Sequence, residues 1–374
     1  MKKYENVLLW LSVTLLFFIS IINLYNAKFL NSFYNNYYLK QCIWYFLGFL
    51  IIIISSKMNF KAIFKYSNII YLINVLFLLL VLFIGDEING TKAWIDFKIF
   101  TLQPSEFMKI SLTLYLIEIS QKKLNKFAKF SYLTIITLIP CILVFLEPDT
   151  GAIIFYLIIY FYLLTTLKIK WFYYLFLIFF LLGLGLLFIF LYQNQQDLLI
   201  KLIGTSFFYR VERIINFKSN YQLELSLLSI FGSPFIRNGF NGILLYIPEG
   251  ATDFIFAFSI GNFGFFMCPL ILWTYLMLLI TISFKINNKY NKKTNYLVIS
   301  FLLILLCQIL INIMMNIGII PIVGITLPFL SYGGSSIIVC FLFLALIINL
   351  TNMDNHFHKV HSKNKNNFPL DDMD

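Results

Sequence analysis

Ten apolar runs, each close to the length needed to cross a bilayer, constrain this chain more than any other feature. They lie near residues 7–24, 41–56, 66–84, 105–120, 132–146, 150–166, 171–192, 253–283, 296–317 and 333–350. A hydrocarbon core about 30 Å thick takes roughly 20 residues of helix. Within it, backbone N–H and C=O groups must find their partners inside the segment. The expected fold is therefore an all-α integral membrane protein of about ten transmembrane helices. Of the 374 residues 60% are hydrophobic and only 12% are charged, which excludes an ordinary soluble domain. The first run follows Lys2 and Lys3 as in a signal peptide, but no small-residue cleavage site comes after it. It reads as a retained span.

The loops carry a topology signal. Segments 57–65, 121–131, 168–170 and 284–295 hold thirteen lysines and no acid. The alternate loops hold most of the acids, among them Asp86, Glu87, Asp96, Glu147, Asp149, Asp197, Glu212, Glu224 and Glu249. By the positive-inside rule the lysine loops are cytoplasmic, so ten spans put both termini inside. The net charge of +11 is then a topology signal and an attraction to anionic membrane lipids. No nucleic-acid partner is expected. The expected organisation is one membrane domain, 1–350, with a large extracellular loop at 193–252 between spans seven and eight. A polar, disordered cytoplasmic tail covers 351–374.

Inventory narrows the chemistry. The three histidines, His356, His358 and His361, all fall in the tail, so a site in the membrane domain works without histidine. The five cysteines lie inside apolar runs, with neither metal-ligand spacing nor a disulfide pattern. No metal cluster is visible.

Four segments and one arginine pair could carry a reaction. In IPEGATDFIFAFSIG (247–261), Glu249, Thr252 and Asp253 stand where span eight begins. Thr252 or Asp253 could simply cap the helix. The same position suits a general base facing a substrate at the membrane surface. In GTKAWIDFKIFTLQPSEFMKI (90–110), Pro104 starts a helix with Glu106 in its first turn. Glu106 and Lys109 share a face at i, i+3 and can pair, structurally or functionally. Trp94 is an interfacial anchor or a surface for stacking a sugar ring. In LEPDTGAII (146–154), Pro148 and Asp149 form a turn with an Asx cap or contribute to catalysis. In GIIPIVGITLPFLSYGGSS (318–336), two prolines and four glycines break the apolar pattern. A broken segment lining a polar cavity fits, with Ser331, Tyr332, Ser335 and Ser336 as lining residues. Arg210 and Arg213, at i, i+3 in the long loop, suit phosphate oxygens, or else pair with Glu212 or headgroups.

Taken together, GTKAWIDFKIFTLQPSEFMK, LEPDTG, PEGATDFIFA and LPFLSYGGSS resemble the RodA/FtsW/SpoVE family, the SEDS proteins, in order and separation. The resemblance covers nearly the whole chain. It implies a peptidoglycan glycosyltransferase that polymerises lipid II on the outer face of the plasma membrane, alongside a class B penicillin-binding protein as transpeptidase. It places the family's essential acid on Asp253, its loop tryptophan on Trp94, and the acid and lysine of QPSE-x-x-K on Glu106 and Lys109. Compact length and short tails lean toward the elongation type. The chain departs from the family at Ala93, at Ala251, at Gly261 and Asn262, in SIFGSPFIRNGFNG (229–242) and in NIMM (312–315).

The expected mechanism has Asp253 take the proton of an acceptor hydroxyl, which attacks the donor's anomeric carbon with single inversion. Polyprenyl pyrophosphate leaves, its charge met by Lys109, Arg210 or Arg213. No organic cofactor is implied, and a divalent cation bridging the pyrophosphate to an acid stays open. Two rivals remain at this stage: a lipid-precursor flippase, since broken helices and an intramembrane lysine also suit transporters, and a noncatalytic scaffold.

Overall fold

The computed structural model describes residues 2–58, 60–88, 91–98, 100–147, 149–167, 171–203, 220–237, 239 and 246–367. It is predominantly helical. Nine of the ten expected apolar runs each fall on one helix, the first seven on α1 (Lys2–Ala27), α2 (Tyr37–Ser55), α3 (Ser67–Ile84), α4 (Pro104–Gln121), α5 (Lys126–Leu146), α6 (Thr150–Thr166) and α7 (Trp171–Asn194). After α7 come α8 (Gln196–Ile203), α9 (Tyr221–Phe231), α10 (Ile255–Phe263), α11 (Met267–Ser283), α12 (Lys292–Asn316) and α13 (Gly334–Asn367). A small antiparallel sheet follows α3, in the order β1 (Asp86–Ile88), β2 (Thr91–Asp96) and β3 (Thr101–Leu102).

Among the described residues six helices are long and apolar enough to cross a membrane. They are α1, α2, α3, α5, α12 and the first part of α13; α6 and α11 are apolar but shorter. Helix α4 carries Glu106, Lys109 and Glu118 and is the centre of the bundle, packed by α3, α5, α6, α12 and α13. Thirteen of its 18 residues are buried, Ser105, Lys109, Ser111, Thr113 and Ser120 among them. A helix shielded from lipid by its neighbours can hold polar groups that a lipid-facing one cannot.

Two expectations fail. The run 253–283 is not one helix. It breaks at Gly264, where φ is +105° and a side-chain Cβ would lie 2.6 Å from the Phe235 carbonyl oxygen. Only glycine takes this backbone without strain. The result is a nine-residue helix, α10, buried along its whole length and followed by α11. The stretch 351–367, expected to be disordered, continues α13 as helix. Its first turns are anchored: the Asp354 carboxylate accepts from Asn291 N (3.1 Å) and Thr294 Oγ1 (2.8 Å).

The bundle thus has two chemically distinct ends. One gathers the lysine segments between α2 and α3, α4 and α5, and α11 and α12. The other gathers the sheet, the α5–α6 turn, the turn before α10 and the broken segment 318–333. That segment is non-helical, as expected from its glycines and prolines, and side chains from neighbouring helices satisfy its carbonyls. Tyr45 Oη donates to Phe329 O, Tyr275 Oη to Pro328 O at 2.7 Å, and Gln41 Nε2 to Ser331 O at 3.0 Å.

Candidate functional site

The turn 247–254 presents Asp253, and its shape is fixed from three sides. Glu249 adopts the left-handed conformation (φ 57°), which few non-glycine residues take. Its carbonyl accepts from Thr252 N (3.1 Å) and Phe254 N (3.0 Å), and its carboxylate accepts from Thr252 Oγ1 at 2.8 Å. From α12, Asn312 Nδ2 (2.8 Å) and Asn316 Nδ2 (3.1 Å) donate to the Asp253 carbonyl. From the broken segment, Ser331 Oγ donates to Thr252 O (2.6 Å) while accepting from Leu327 N (2.8 Å), and Tyr332 N donates to Ala251 O (2.9 Å). Ser331 and Tyr332, read as cavity-lining groups, therefore clamp the turn. Tyr332 also stacks on Tyr37 at 3.8 Å between ring centres.

The simple capping explanation for Asp253 does not hold. The cap of α10 is Phe254, with no side-chain bond to the helix. Among the described residues the Asp253 carboxylate takes no hydrogen bond at all. Its backbone is bolted down while its side chain is left available, and Oδ2 sits 3.6 Å from where a Cβ on Gly324 would stand. Burial first, then the nearby carboxylates of Glu249 and Asp149, pushes its pKa up to about 7. Each effect disfavours the anion. A carboxyl poised near neutral pH is the kind a general base needs.

A second group of acids stands beside it. Asp149 does not form the expected Asx cap: it makes no capping bond to α6. Its Oδ2 instead accepts from Gln103 Nε2 (2.8 Å) and Ser105 Oγ (2.7 Å), tying the start of α4 to the α5–α6 turn. Tyr156 Oη donates to Ser105 O at 2.7 Å and holds the same start from below. Glu147, at the end of α5, is fully buried, and neither carboxylate oxygen has a partner among the described residues. Burial, reinforced by Asp149, raises its pKa to about 9, so it stays protonated at neutral pH.

Glu106 and Lys109 pair as their spacing predicts, at 2.7 Å, with Lys109 only 2% exposed. Lys109 Nζ also lies 4.9 Å over the Phe155 ring, a cation–π contact. Trp94 is half-buried on β2, opposite Asp86. The strand is held by Lys92, whose Nζ donates to the Leu82 carbonyl (3.0 Å) at the end of α3. Ser335 Oγ accepts from Gln103 N at 3.0 Å, so the sheet, α4 and α13 meet here. Arg210 and Arg213 lie outside the described residues.

Sequence reasoning missed Asn312 and Asn316. Their signal was present: two amides spaced i, i+4 in an apolar helix, where each is costly unless it has work to do. It also assigned no role to Gln103, the first residue of QPSE-x-x-K, or to Tyr156, both of which hold the start of α4.

Comparison with known proteins gives a consistent picture. The family model described as "Cell cycle protein", covering FtsW, RodA and SpoVE, matches residues 4–356. A probable peptidoglycan glycosyltransferase FtsW from Wigglesworthia glossinidia brevipalpis is 33% identical, over 92% of each chain. A peptidoglycan glycosyltransferase MrdB from Helicobacter pylori is 29% identical, over 91% of each. Relatives of both kinds match, so the comparisons do not favour the elongation type. Among solved structures, a chain of a peptidoglycan synthase complex that coordinates polymerization and crosslinking superposes with a TM-score of 0.73. It shares 21% identity and covers 92% of this chain and 97% of its own. The rod shape determining protein RodA of Thermus thermophilus superposes with a TM-score of 0.65 at 22% identity, covering 92% and 95%. These two likenesses concern the fold.

Proposed function

The chain belongs to the FtsW/RodA/SpoVE family and is a peptidoglycan glycosyltransferase of the membrane, and from that premise we propose that Asp253 is its general base. The observation that carries this reading is the carboxylate itself: its turn is clamped by Asn312, Asn316 and Ser331, and its oxygens take no hydrogen bond among the described residues. The acid end of the bundle faces outward, both termini lie in the cytoplasm, and ten spans connect them. The loop lysines support this orientation.

Two lipid II molecules dock at the acid end with their prenyl chains in the bilayer. Asp253 takes the proton of the acceptor sugar's 4-hydroxyl. The freed oxygen forms a bond to the donor's anomeric carbon, and the bond from that carbon to the pyrophosphate oxygen breaks. One displacement inverts the anomeric centre. The polyprenyl pyrophosphate leaves as an anion and needs no acid, so a single base is enough. Arg210 and Arg213 of the long loop are the cations for its charge. Lys109 is already matched by Glu106, and its part is to hold the start of α4 in place. Trp94, on its pinned strand, offers a stacking face to a sugar ring. Any divalent ion arriving with the pyrophosphate would be held by phosphate oxygens and one carboxylate, as magnesium commonly is. Among the described residues no group of three metal-ligating side chains forms an independent site. A class B penicillin-binding protein would crosslink the product.

Purified protein incubated with labelled lipid II tests this. Asp253→Asn should cut strand formation by about 10²–10⁴-fold, the usual worth of a positioned base. Precursor flipping, if the chain carried it out, would survive the change, because transport needs no base. The pH profile checks the same residue. The base must be ionised, so activity should rise with pH and reach half its plateau near 7. Stability runs the other way. A carboxyl whose folded pKa exceeds its unfolded one binds more protons when folded, so stability falls between about pH 4 and 7. Asp253→Asn should therefore raise the melting temperature at pH 8 and leave it unchanged at pH 4. An unaltered pH profile in active Asp253→Asn protein would sink the assignment.

A further inference from the structure

A cavity of about 350 Å³ opens at the lysine end, where four helix ends meet. Its walls come from the last turn of α4 (Ser120), the first turns of α5 (Lys126, Lys129), the end of α6 (Leu167) and the first turns of α12 (Lys292, Tyr296). Among the described residues three lysines converge on it and no carboxylate lines it. Lys126 and Lys292 are the first residues of α5 and α12, whose caps are Asn125 and Asn291. Both helices turn the positive ends of their dipoles toward the cavity, which offset the negative ends of α4 and α6, so the lysines carry the net charge. Lys129 Nζ is anchored to Ser120 O at 2.7 Å, so one wall is preformed. Glu118, two residues before Ser120 on α4, is joined to Lys293 at 2.5 Å. Leu124 in the lining is 40% exposed, and Phe127, the residue after Lys126, is 63% exposed.

We propose that this cavity binds the phosphate headgroup of an anionic phospholipid, seated between Lys126, Lys129 and Lys292, with its acyl chains running past Leu124 and Phe127. The shared chemistry is a phosphate anion. A lipid source is favoured over a soluble one by the exposed apolar side chains of Leu124 and Phe127 next to Lys126 in the chain, and by the position at the ends of the spans. Basic pockets between membrane helices at the cytoplasmic side suit such headgroups. A bound lipid would join the ends of α4, α5, α6 and α12, and α4 is the helix whose other end carries Glu106. The site is independent of Asp253 and of the glycosyltransferase reading.

The test uses the full chain in neutral detergent, followed by native mass spectrometry and thermal unfolding with added phosphatidylglycerol, phosphatidylcholine, glycerol phosphate or inorganic phosphate. Phosphatidylglycerol should be retained and should raise the melting temperature, whereas phosphatidylcholine and the two soluble phosphates should not. The double variant Lys126→Gln with Lys292→Gln should weaken retention about thirtyfold, as expected for removing two lysines near the headgroup plane. Lys122→Gln with Lys123→Gln, in the same loop but outside the cavity, should change it less than about threefold. Melting without lipid reports whether each variant folds, and Lys126→Arg with Lys292→Arg should keep binding. Equal losses in the two glutamine pairs would mean diffuse attraction and overturn the site. Saturation by inorganic phosphate would overturn the lipid assignment, and so would equal retention of phosphatidylcholine.

Discussion

Helix α4 supplies the acid of two ion pairs, one toward each end of the bundle, and the two are not alike. Glu106 meets Lys109 at 2.7 Å within the helix, with 13% and 2% of the side chains exposed. Glu118 meets Lys293 of α12 at 2.5 Å, with 23% and 27% exposed. Residue types and distances nearly match, yet the surroundings differ. The first pair is sealed under Phe155 and the start of α6; the second sits at the bundle's rim among loop lysines. A buried pair is weak evidence of net stabilisation but is costly to break, whereas an exposed pair contributes little either way. The acid end therefore holds charges whose environment sets their behaviour. The lysine end holds charges that act through their number and sign.

Breaking the buried pair tests this difference most strongly. Lys109→Met leaves Glu106 nearly buried without its cation, and one of its oxygens already has no partner among the described residues. A loss of about 3–5 kcal/mol in unfolding free energy is expected. Adding Glu106→Gln removes the stranded charge and should restore much of that stability. Activity then separates two roles. If Lys109 only positions α4, the double variant recovers strand formation along with stability. A double variant that is stable but inactive would show that Lys109 also touches the pyrophosphate.

Next in size is the amide clamp. Asn312 Nδ2 donates to both the Asp253 carbonyl (2.8 Å) and the Ile325 carbonyl (2.6 Å). Asn312→Leu would take this donor from the Ile325 carbonyl and leave the Asp253 carbonyl with Asn316 alone, at about 1–3 kcal/mol for the unsatisfied group. The sharper readout is kinetic. The turn bearing Asp253 would loosen, so kcat should fall more than stability alone explains, while the activity midpoint near pH 7 stays put. A pH midpoint that moved with Asn312→Leu would mean the amide tunes the carboxyl directly.

Much of this was legible in the sequence, for reasons that also explain the failures. Apolar runs gave the helices because lipid leaves the backbone no other solution. Glu106 and Lys109 were paired from spacing, and glycine with proline marked the broken segment. The break at Gly264 was not legible, since Phe263 and Phe265 keep hydropathy high across a change in backbone direction. Thr252 and Asp253 looked like a cap because that signature is local. The real geometry comes from Asn312, Asn316 and Ser331, some 60 to 80 positions away in sequence. Residues 351–367 looked disordered by composition, yet no proline or glycine stops α13, and Asp354 bonds its first turns to α12.

The smallest expected effect is the other half of the comparison. Lys293→Gln removes the rim pair and a lysine standing 5.4 Å over the Phe64 ring. With both partners about a quarter exposed, water and salt screen the attraction, and the loss should stay below about 1 kcal/mol. It should shrink further between 0.05 and about 0.5 M salt, because screening acts on exposed charges and spares buried ones. The Lys109→Met loss should barely respond to the same salt series. If both losses shifted together with salt, the two pairs would share one electrostatic environment, and the distinction drawn between the ends of α4 would fail.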